Sequence, residues 1–225
     1  VGIIIVGGAY FLFVQKNEAP VAPEEHATTT PAALIDGIYM VADGSTITGQ
    51  GRRPLVEGYL DTATADVTEG AVAVLNGGAT GSFTIDLDTI TVLSTGQGKF
   101  EDRLEGHLKS DAFFDVETYP TATFALTSLT AINDGDGSAT HTVVGALTMK
   151  GITNTISFPA TISDGESGAL RVEGVVSIDR TLWDVRYGSD KFFDDLADGL
   201  VDDIFTISLD LTLVPTIGSG EEAGA

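Results

Sequence analysis

The feature that most constrains how this chain folds is a period of two in its apolar residues, repeated through the central region. From Ile152 onward, Ile152, Ile156, Phe158, Ala160 and Ile162 are apolar, whereas Thr153, Thr155, Ser157, Thr161 and Ser163 are polar. Successive side chains of a strand point to opposite faces, so this stretch is a strand with one buried face. The pattern recurs in Leu170, Val172, Gly174, Val176 and Ile178 against Arg171, Glu173, Ser177 and Asp179. It recurs again in Phe205, Ile207, Leu209, Leu211 and Leu213 against Thr206, Ser208, Asp210 and Thr212. Less regular versions run through Phe83, Ile85 and Leu87, through Phe124 and Leu126, and through Val143, Leu147 and Met149. Turn-forming residues separate them at Asn76-Gly77-Gly78, Asn133-Asp134-Gly135-Asp136-Gly137, Lys150-Gly151 and Asp164-Gly165-Glu166. With residues 37–41 and 45–48, about eight strands follow one another in hairpin succession. So many one-sided strands need a shared interior. The expected fold is all-β, an eight-stranded antiparallel barrel that leaves no exposed edge, with a two-sheet sandwich as the alternative.

Two segments break the period. Residues 97–110 (QGKFEDRLEGHLKS) carry Phe100, Leu104 and Leu108 at i, i+4 and i+8, which predicts a short amphipathic helix lying across a barrel mouth. Residues 191–199 (KFFDDLADG) are a second short helix or a loop. Outside the patterned region, residues 1–14 (VGIIIVGGAYFLFV) form an uninterrupted apolar run. As a helix this run rises ~21 Å at 1.5 Å per residue, short of the ~30 Å hydrocarbon core. Three readings fit: the outer half of a signal-anchor helix, a signal-peptide core, or a segment that packs against protein and joins subunits into an oligomer or polymer. Residues 15–33 hold three prolines, Thr28, Thr29 and Thr30, and the acidic pair Glu24 and Glu25, the composition of an extended tether. Residues 34–215 are then the folded domain and 216–225 a Gly/Ser/Glu/Ala tail.

Composition narrows the function classes. Thirty-three acidic against eleven basic residues give a net charge of −22, which repels nucleic-acid phosphates and anionic headgroups. No nucleic-acid partner is expected. The absence of cysteine removes disulfides, thiolate metal sites and cysteine nucleophiles. His26, His107 and His141 lack metal-ligand spacing, and no G-x-S-x-G or phosphate-cradling motif is present. His107, beside Asp102, Arg103 and Glu105, reads as a polar residue at a helix end. Asp179, Arg180, Asp184 and Arg186 read first as ion pairs in a loop near one barrel end and second as contacts to a ligand's polar end.

Three longer motifs carry a resemblance. The run His107-Leu108-Lys109-Ser110-Asp111-Ala112-Phe113-Phe114-Asp115, continuing to Tyr119-Pro120 and a strand, resembles the central signature of the YceI-like family. Residues 144–153 (VGALTMKGIT) are similar to a hairpin of that family, and residues 179–189 (DRTLWDVRYGS) look like a segment of one of its subgroups. The three occur in the family's order across residues 34–215. The resemblance implies a lipocalin-like barrel of secreted or periplasmic proteins whose interior accommodates a long isoprenoid or fatty chain. It departs from the family at the first hairpin, where relatives carry His-Ser and this sequence has Asp43-Gly44-Ser45-Thr46.

An eight-stranded barrel is wide enough to be filled by side chains or to hold one small ligand. Alternation then gives the expected lining: Phe83, Ile85, Phe124, Leu126, Leu147, Met149, Ile156, Phe158, Val176, Ile178, Phe205 and Ile207, with Met149 and Gly174 suggesting room. Phe113, Phe114, Trp183, Phe192 and Phe193 lie in irregular segments and either rim the mouth or plug it, with Trp183 counted among the ligand contacts. The expected function is non-enzymatic binding or transport of an apolar, isoprenoid-type lipid, quinone-like or fatty, on the extracytoplasmic side of the cell envelope. No metal or further cofactor is expected. The alternative is a structural subunit that uses the barrel as a rigid unit and residues 1–14 for assembly.

Overall fold

The computed structural model describes residues 34–132 and 139–216. The expected apolar segment 1–14, the tether 15–33, the turn at 133–137 and the tail after residue 216 lie outside the described residues. Within them, nine strands and one α-helix follow in the order β1 (Gly37–Val41), β2 (Thr46–Arg52), β3 (Leu60–Leu75), β4 (Gly78–Ser94), α1 (Glu101–Lys109), β5 (Thr121–Ala131), β6 (His141–Met149), β7 (Ile152–Asp164), β8 (Leu170–Asp179) and β9 (Ile204–Pro215). From β3 to β9 each strand pairs antiparallel with the next. The sheet closes because β1 and β2 each pair with both β3 and β9. Those two strands share one position: β1 lies opposite residues 71–74 of β3, and β2 opposite residues 60–66. The barrel therefore has eight staves made from nine strands, with the first stave broken at residues 42–45.

The eight strands expected from the sequence were not the same eight. Residues 37–41 and 45–48 belong to one stave, while β3 carried no strand expectation. Its inward residues run Ala63, Ala65, Val67 and then Gly70, Val72, Val74, a change of parity. The cause is a bulge, where Val67 opposes Ile85 but Glu69 opposes Thr84, so one extra residue shifts the pattern to the other face. A larger irregularity faces it in β4, since Thr64 pairs with Thr91 and Asp66 with Asp86, two steps against five. Leu87 and Ile90 both turn inward there, and the Asp66 amide donates to Thr89 Oγ1 at 2.8 Å.

Elsewhere alternation holds, except that Ile152, expected on the buried face, is exposed because it sits beside the hairpin turn at the start of β7. In β6, His141, Val143, Gly145, Leu147 and Met149 are buried and the residues between them are half-buried. The Asn76-Gly77 and Lys150-Gly151 turns are two-residue hairpins with positive φ at both positions, the geometry that matches strand twist. Thr216, expected to open the tail, instead donates from its amide and hydroxyl to the Ile38 carbonyl at 2.8 and 3.0 Å.

One barrel end is covered. Helix α1 crosses it, with Leu104 and Leu108 turned to the interior, but Phe100 is not part of that stripe. It sits at the N-cap in left-handed backbone, 52% exposed, because the helix starts only at the next residue. Residues 191–199 contain no α-helix; the connection from β8 to β9 includes short 3-10 turns at Arg180–Trp183 and Ala197–Gly199. The Arg180 guanidinium is fully buried and donates to the carbonyls of Val185 (2.7 Å), Asp202 (3.0 Å) and Val201 (3.1 Å). It thereby gathers both ends of the connection. Lys191 pairs with Asp179 at 2.8 Å and Asp203 at 3.0 Å, and Arg186 pairs with Asp184, so the charged cluster of the sequence is a set of ion pairs bracing this loop.

A Cβ on Gly145 would lie 2.3 Å from the Phe124 ring and 2.6 Å from the Ala125 carbonyl oxygen. Gly145→Ala should therefore cost about 1–3 kcal/mol by overpacking, measured as a lower denaturant midpoint; an unchanged midpoint would show that the wall gives freely. At the far end, His141 is buried with Nδ1 2.8 Å from Thr140 Oγ1, and burial holds its pKa below the ordinary 6.5. The unfolded chain takes up this proton first as pH falls. Stability is thus full above about pH 6.5 and declines as pH drops toward the lower folded value. Denaturant titrations should show a shallower decline for His141→Gln than for the parent; parallel profiles would refute the assignment.

Candidate ligand-binding cavity

The inward faces of the staves do not meet across the barrel. They enclose two adjoining chambers, of about 140 Å³ and about 170 Å³, that share Ile47, Ile85, Leu147 and Ile207 as walls. Every residue lining the first chamber is Leu, Ile, Val, Ala or Phe. An ordered water needs two to four polar partners, so such a space favours an apolar occupant. The second chamber lies under α1 and mixes apolar walls with Gln50, Arg53, Asp61, Thr62, Thr64, His107 and Tyr187. Polarity therefore rises toward the helix end. Along β9 the lining runs from Phe205 to Leu213, roughly 26 Å of strand, or about 20 Å of depth at a tilt of 35–45°.

Of the residues expected to line the interior or contact a ligand, all but Trp183 line these chambers. Phe83, Phe124, Leu126, Ile156, Phe158 and Val176 line the first, and Met149, Ile178 and Phe205 the second. Ile85 and Leu147 stand at the junction, with Ile207, which alternation also pointed to. Trp183 does not belong to the lining. Its indole is 1% exposed and its Nε1 donates to the Leu147 carbonyl at 3.0 Å, which makes it a brace behind the wall of β6.

Three aromatics form a connected group in the first chamber, with Phe124 6.5 Å from Phe83 and 6.1 Å from Phe158 between ring centroids. Gly145 makes space for this group. Gly174 opens no space: a Cβ there would lie 3.3 Å from the Pro159 carbonyl oxygen and 3.5 Å from Ala160 and Leu209, and the residue lines neither chamber.

The irregular aromatics divide. Phe113 and Phe114 line the second chamber, and Phe113 stacks on Phe205 with ring centroids 5.8 Å apart. Phe192 and Phe193 are exposed, with Phe192 beneath the Arg186 guanidinium at 4.8 Å. Ser45, the retained half of the relatives' His-Ser pair, is structural. Its hydroxyl donates to the Ala42 carbonyl at 2.7 Å and its own carbonyl accepts from Val67, tying the break in the first stave to β3.

Sequence reasoning missed Leu34, Ile47, Val67, Val72, Val74, Ala79 and Leu129 in the first chamber, three of them because β3 was not recognised. On α1 it gave Leu104 and Leu108 as the apolar stripe, as found, but missed His107 beside them in the second chamber. Lys150 Nζ donates to the carbonyls of Phe113 and Asp184 at 3.0 and 3.2 Å, pinning the β6–β7 hairpin to both covering loops. His107 stands edge-on to the rings of Tyr187 (4.2 Å) and Phe113 (5.7 Å). Burial, then the positive charges of Arg103 and Arg53, lower its pKa, so the ring is neutral near pH 7. On the rim the Arg53 guanidinium lies 4.7 Å from the Tyr59 ring, and burial, followed by Asp61, raises the Tyr59 phenol.

Among the described residues no cluster of His, Cys, Asp or Glu is arranged to hold a metal ion, and no helix is long and apolar enough to cross a membrane. Comparison with solved structures gives the same barrel. BcnA of Burkholderia cenocepacia is 22% identical over 75% of this chain and 95% of that chain, with a TM-score of 0.53. A domain from Saccharophagus degradans, described as polyisoprenoid-binding and implicated in plant cell wall breakdown, is 16% identical over 81% of this chain and 100% of that chain, with a TM-score of 0.57. No curated protein matches the sequence. Residues 39–213 match the YceI-like domain, a stretch that contains every cavity-lining residue but Leu34, and the chain belongs to that family.

Proposed function

We propose that this protein is a non-enzymatic carrier of a single isoprenoid-type lipid, taken up tail first. The observation that carries this reading is the graded interior: an all-apolar chamber continuing into one whose wall includes polar side chains at the helix end. A long chain lying along both would bury its methylenes and methyls at ~0.8 kcal/mol per carbon. Apolar burial alone then supplies tight binding, and no catalytic contact is required. The polyisoprenoid-binding domain of the same fold supports the choice of an isoprenoid over other apolar chains. Quinone-like and fatty chains belong to the same chemical class for this cavity.

The proposed place of action is the extracytoplasmic side of the cell envelope, with the apolar run 1–14 as membrane contact and residues 15–33 as tether. A net charge of −22 supports binding of the lipid by its tail within the barrel over adsorption to anionic headgroups. A rigid structural subunit, by contrast, has no use for an interior left open.

Native mass spectrometry of the full chain purified without detergent, before and after incubation with polyprenyl lipids, is the direct test. One lipid per protein is the expected result; a chain that stays empty throughout removes the carrier reading. The junction between the chambers gives a second prediction. Ile207→Phe should leave binding of short isoprenoids that fit one chamber unchanged and weaken long ones on the order of tenfold, about 1.4 kcal/mol. A uniform effect at every chain length would mean that ligands do not pass the junction.

A further inference from the structure

His107 holds a group that nothing else in the fold satisfies. Among the described residues, its Nε2 is a buried side-chain nitrogen with no hydrogen-bond partner. Buried polar atoms are nearly always paired, because burial strips them of water without replacement, so an orphan at a cavity wall needs a reason. The residue lines the second chamber, on the inward side of α1 with Leu104 and Leu108. Its ring is fixed by the edge contacts with Tyr187 and Phe113, and Ser110 Oγ bonds the His107 carbonyl at 2.7 Å, holding the end of the helix. The side chain is therefore a placed polar atom in a largely apolar surround.

We infer that His107 Nε2 is the hydrogen-bond partner of the lipid's polar end, and that this end is an uncharged hydroxyl, as in a long-chain isoprenoid alcohol or phenol. The inference rests on the carrier reading and adds to it the head group and its recognition. A neutral imidazole nitrogen either donates or accepts, depending on its tautomer, and a hydroxyl can answer both. Of the two positive charges that act on His107, Arg53 stacks on Tyr59 and Arg103 is exposed and outside the chamber lining. Asp61 stands in the same wall and the protein's net charge is negative, so an anionic end is disfavoured. With the tail in the all-apolar chamber and the hydroxyl at α1, both ends of the ligand meet a matching wall.

The test uses three C20 probes with one branched skeleton and different ends: phytane, phytol and phytanic acid, each titrated into the full chain. The parent should bind phytol roughly three- to tenfold more tightly than phytane, the range of one net hydrogen bond. His107→Leu should remove that preference by weakening phytol alone, and His107→Gln, which keeps an amide in reach, should restore part of it. Equal affinity for phytane and phytol in the parent overturns the inference, as does a preference that survives in His107→Leu. Phytanic acid as the tightest probe overturns it in favour of an anion held by arginine. Failure of all three to bind refutes the carrier reading itself. Nitrogen-15 NMR of the unaltered chain covers the case of a variant that does not fold. The His107 Nε2 resonance should move on adding phytol and stay still with phytane, and no movement with phytol rejects the contact.

Discussion

Closure of the sheet between β9 and the broken stave of β1 and β2 is the constraint on which the rest of the structure depends. Each stave is apolar on one face, and an open sheet of this kind would need a second layer to cover that face. Closing on itself, the sheet supplies its own cover and satisfies the backbone groups of both outer strands. The seam is made by short pieces: β2 pairs with β9 from Thr46–Asp210 to Gln50–Thr206, and β1 from Val41–Leu213 to Tyr39–Pro215. The break between them is bridged by Ser45 and by the Ala42 amide donating to the Thr212 carbonyl at 2.8 Å. A stave broken in this way pairs with the long, bulged strand β3 on one side and with β9 on the other.

The interior was legible in the sequence wherever one bulky apolar residue alternated with one polar residue. In β8, β9 and β7 from Ile156 onward the inward positions could be named in advance, because Phe158, Val176 or Ile207 stands beside Ser157, Ser177 or Ser208. The same logic failed in β3 for two physical reasons. Its inward residues include Ala63 and Ala65, too small to stand out against Thr62 and Thr64, and its bulge reverses which parity faces in. Trp183 misled for a different reason: a large aromatic in a loop near the mouth suits a ligand or a brace equally well, and only the indole N–H bond to Leu147 separates the two. His107 was read as a helix-end residue from its charged neighbours, yet helical geometry turns it to the same side as Leu104 and Leu108. That signal, i to i+3 and i to i+1 beside an apolar pair, was present in the sequence but weak.

The covered end and the cavity are parts of one arrangement. Arg180, though wholly buried, lines neither chamber; it donates to three backbone carbonyls and to the Asp203 carboxylate and lies 5.8 Å from the rings of both Phe113 and Phe205. Those two rings are themselves chamber walls. The guanidinium therefore fixes the aromatic floor of the second chamber from behind, as Trp183 fixes Leu147. Such backing residues keep wall side chains in place where no neighbour presses on them from the cavity side.

A hollow interior runs against the tendency of proteins to pack at crystal-like density, and the lining atoms lose dispersion contacts on the open side. Collapse would require the wall to move inward, but barrel width is set by the number of staves and their stagger, which the hydrogen-bonded registers of the seam and hairpins fix. Side chains long enough to reach across would fill the space without moving the backbone. The sequence instead places Ala63, Ala65, Ala79 and Ala122 on the inward faces and gathers bulk in the Phe83–Phe124–Phe158 group. The cavity is thus a product of small residues held on a frame whose radius they do not determine. An apolar chain that enters restores the missing contacts without asking the frame to change, so binding here adds to stability by occupation of the folded state alone.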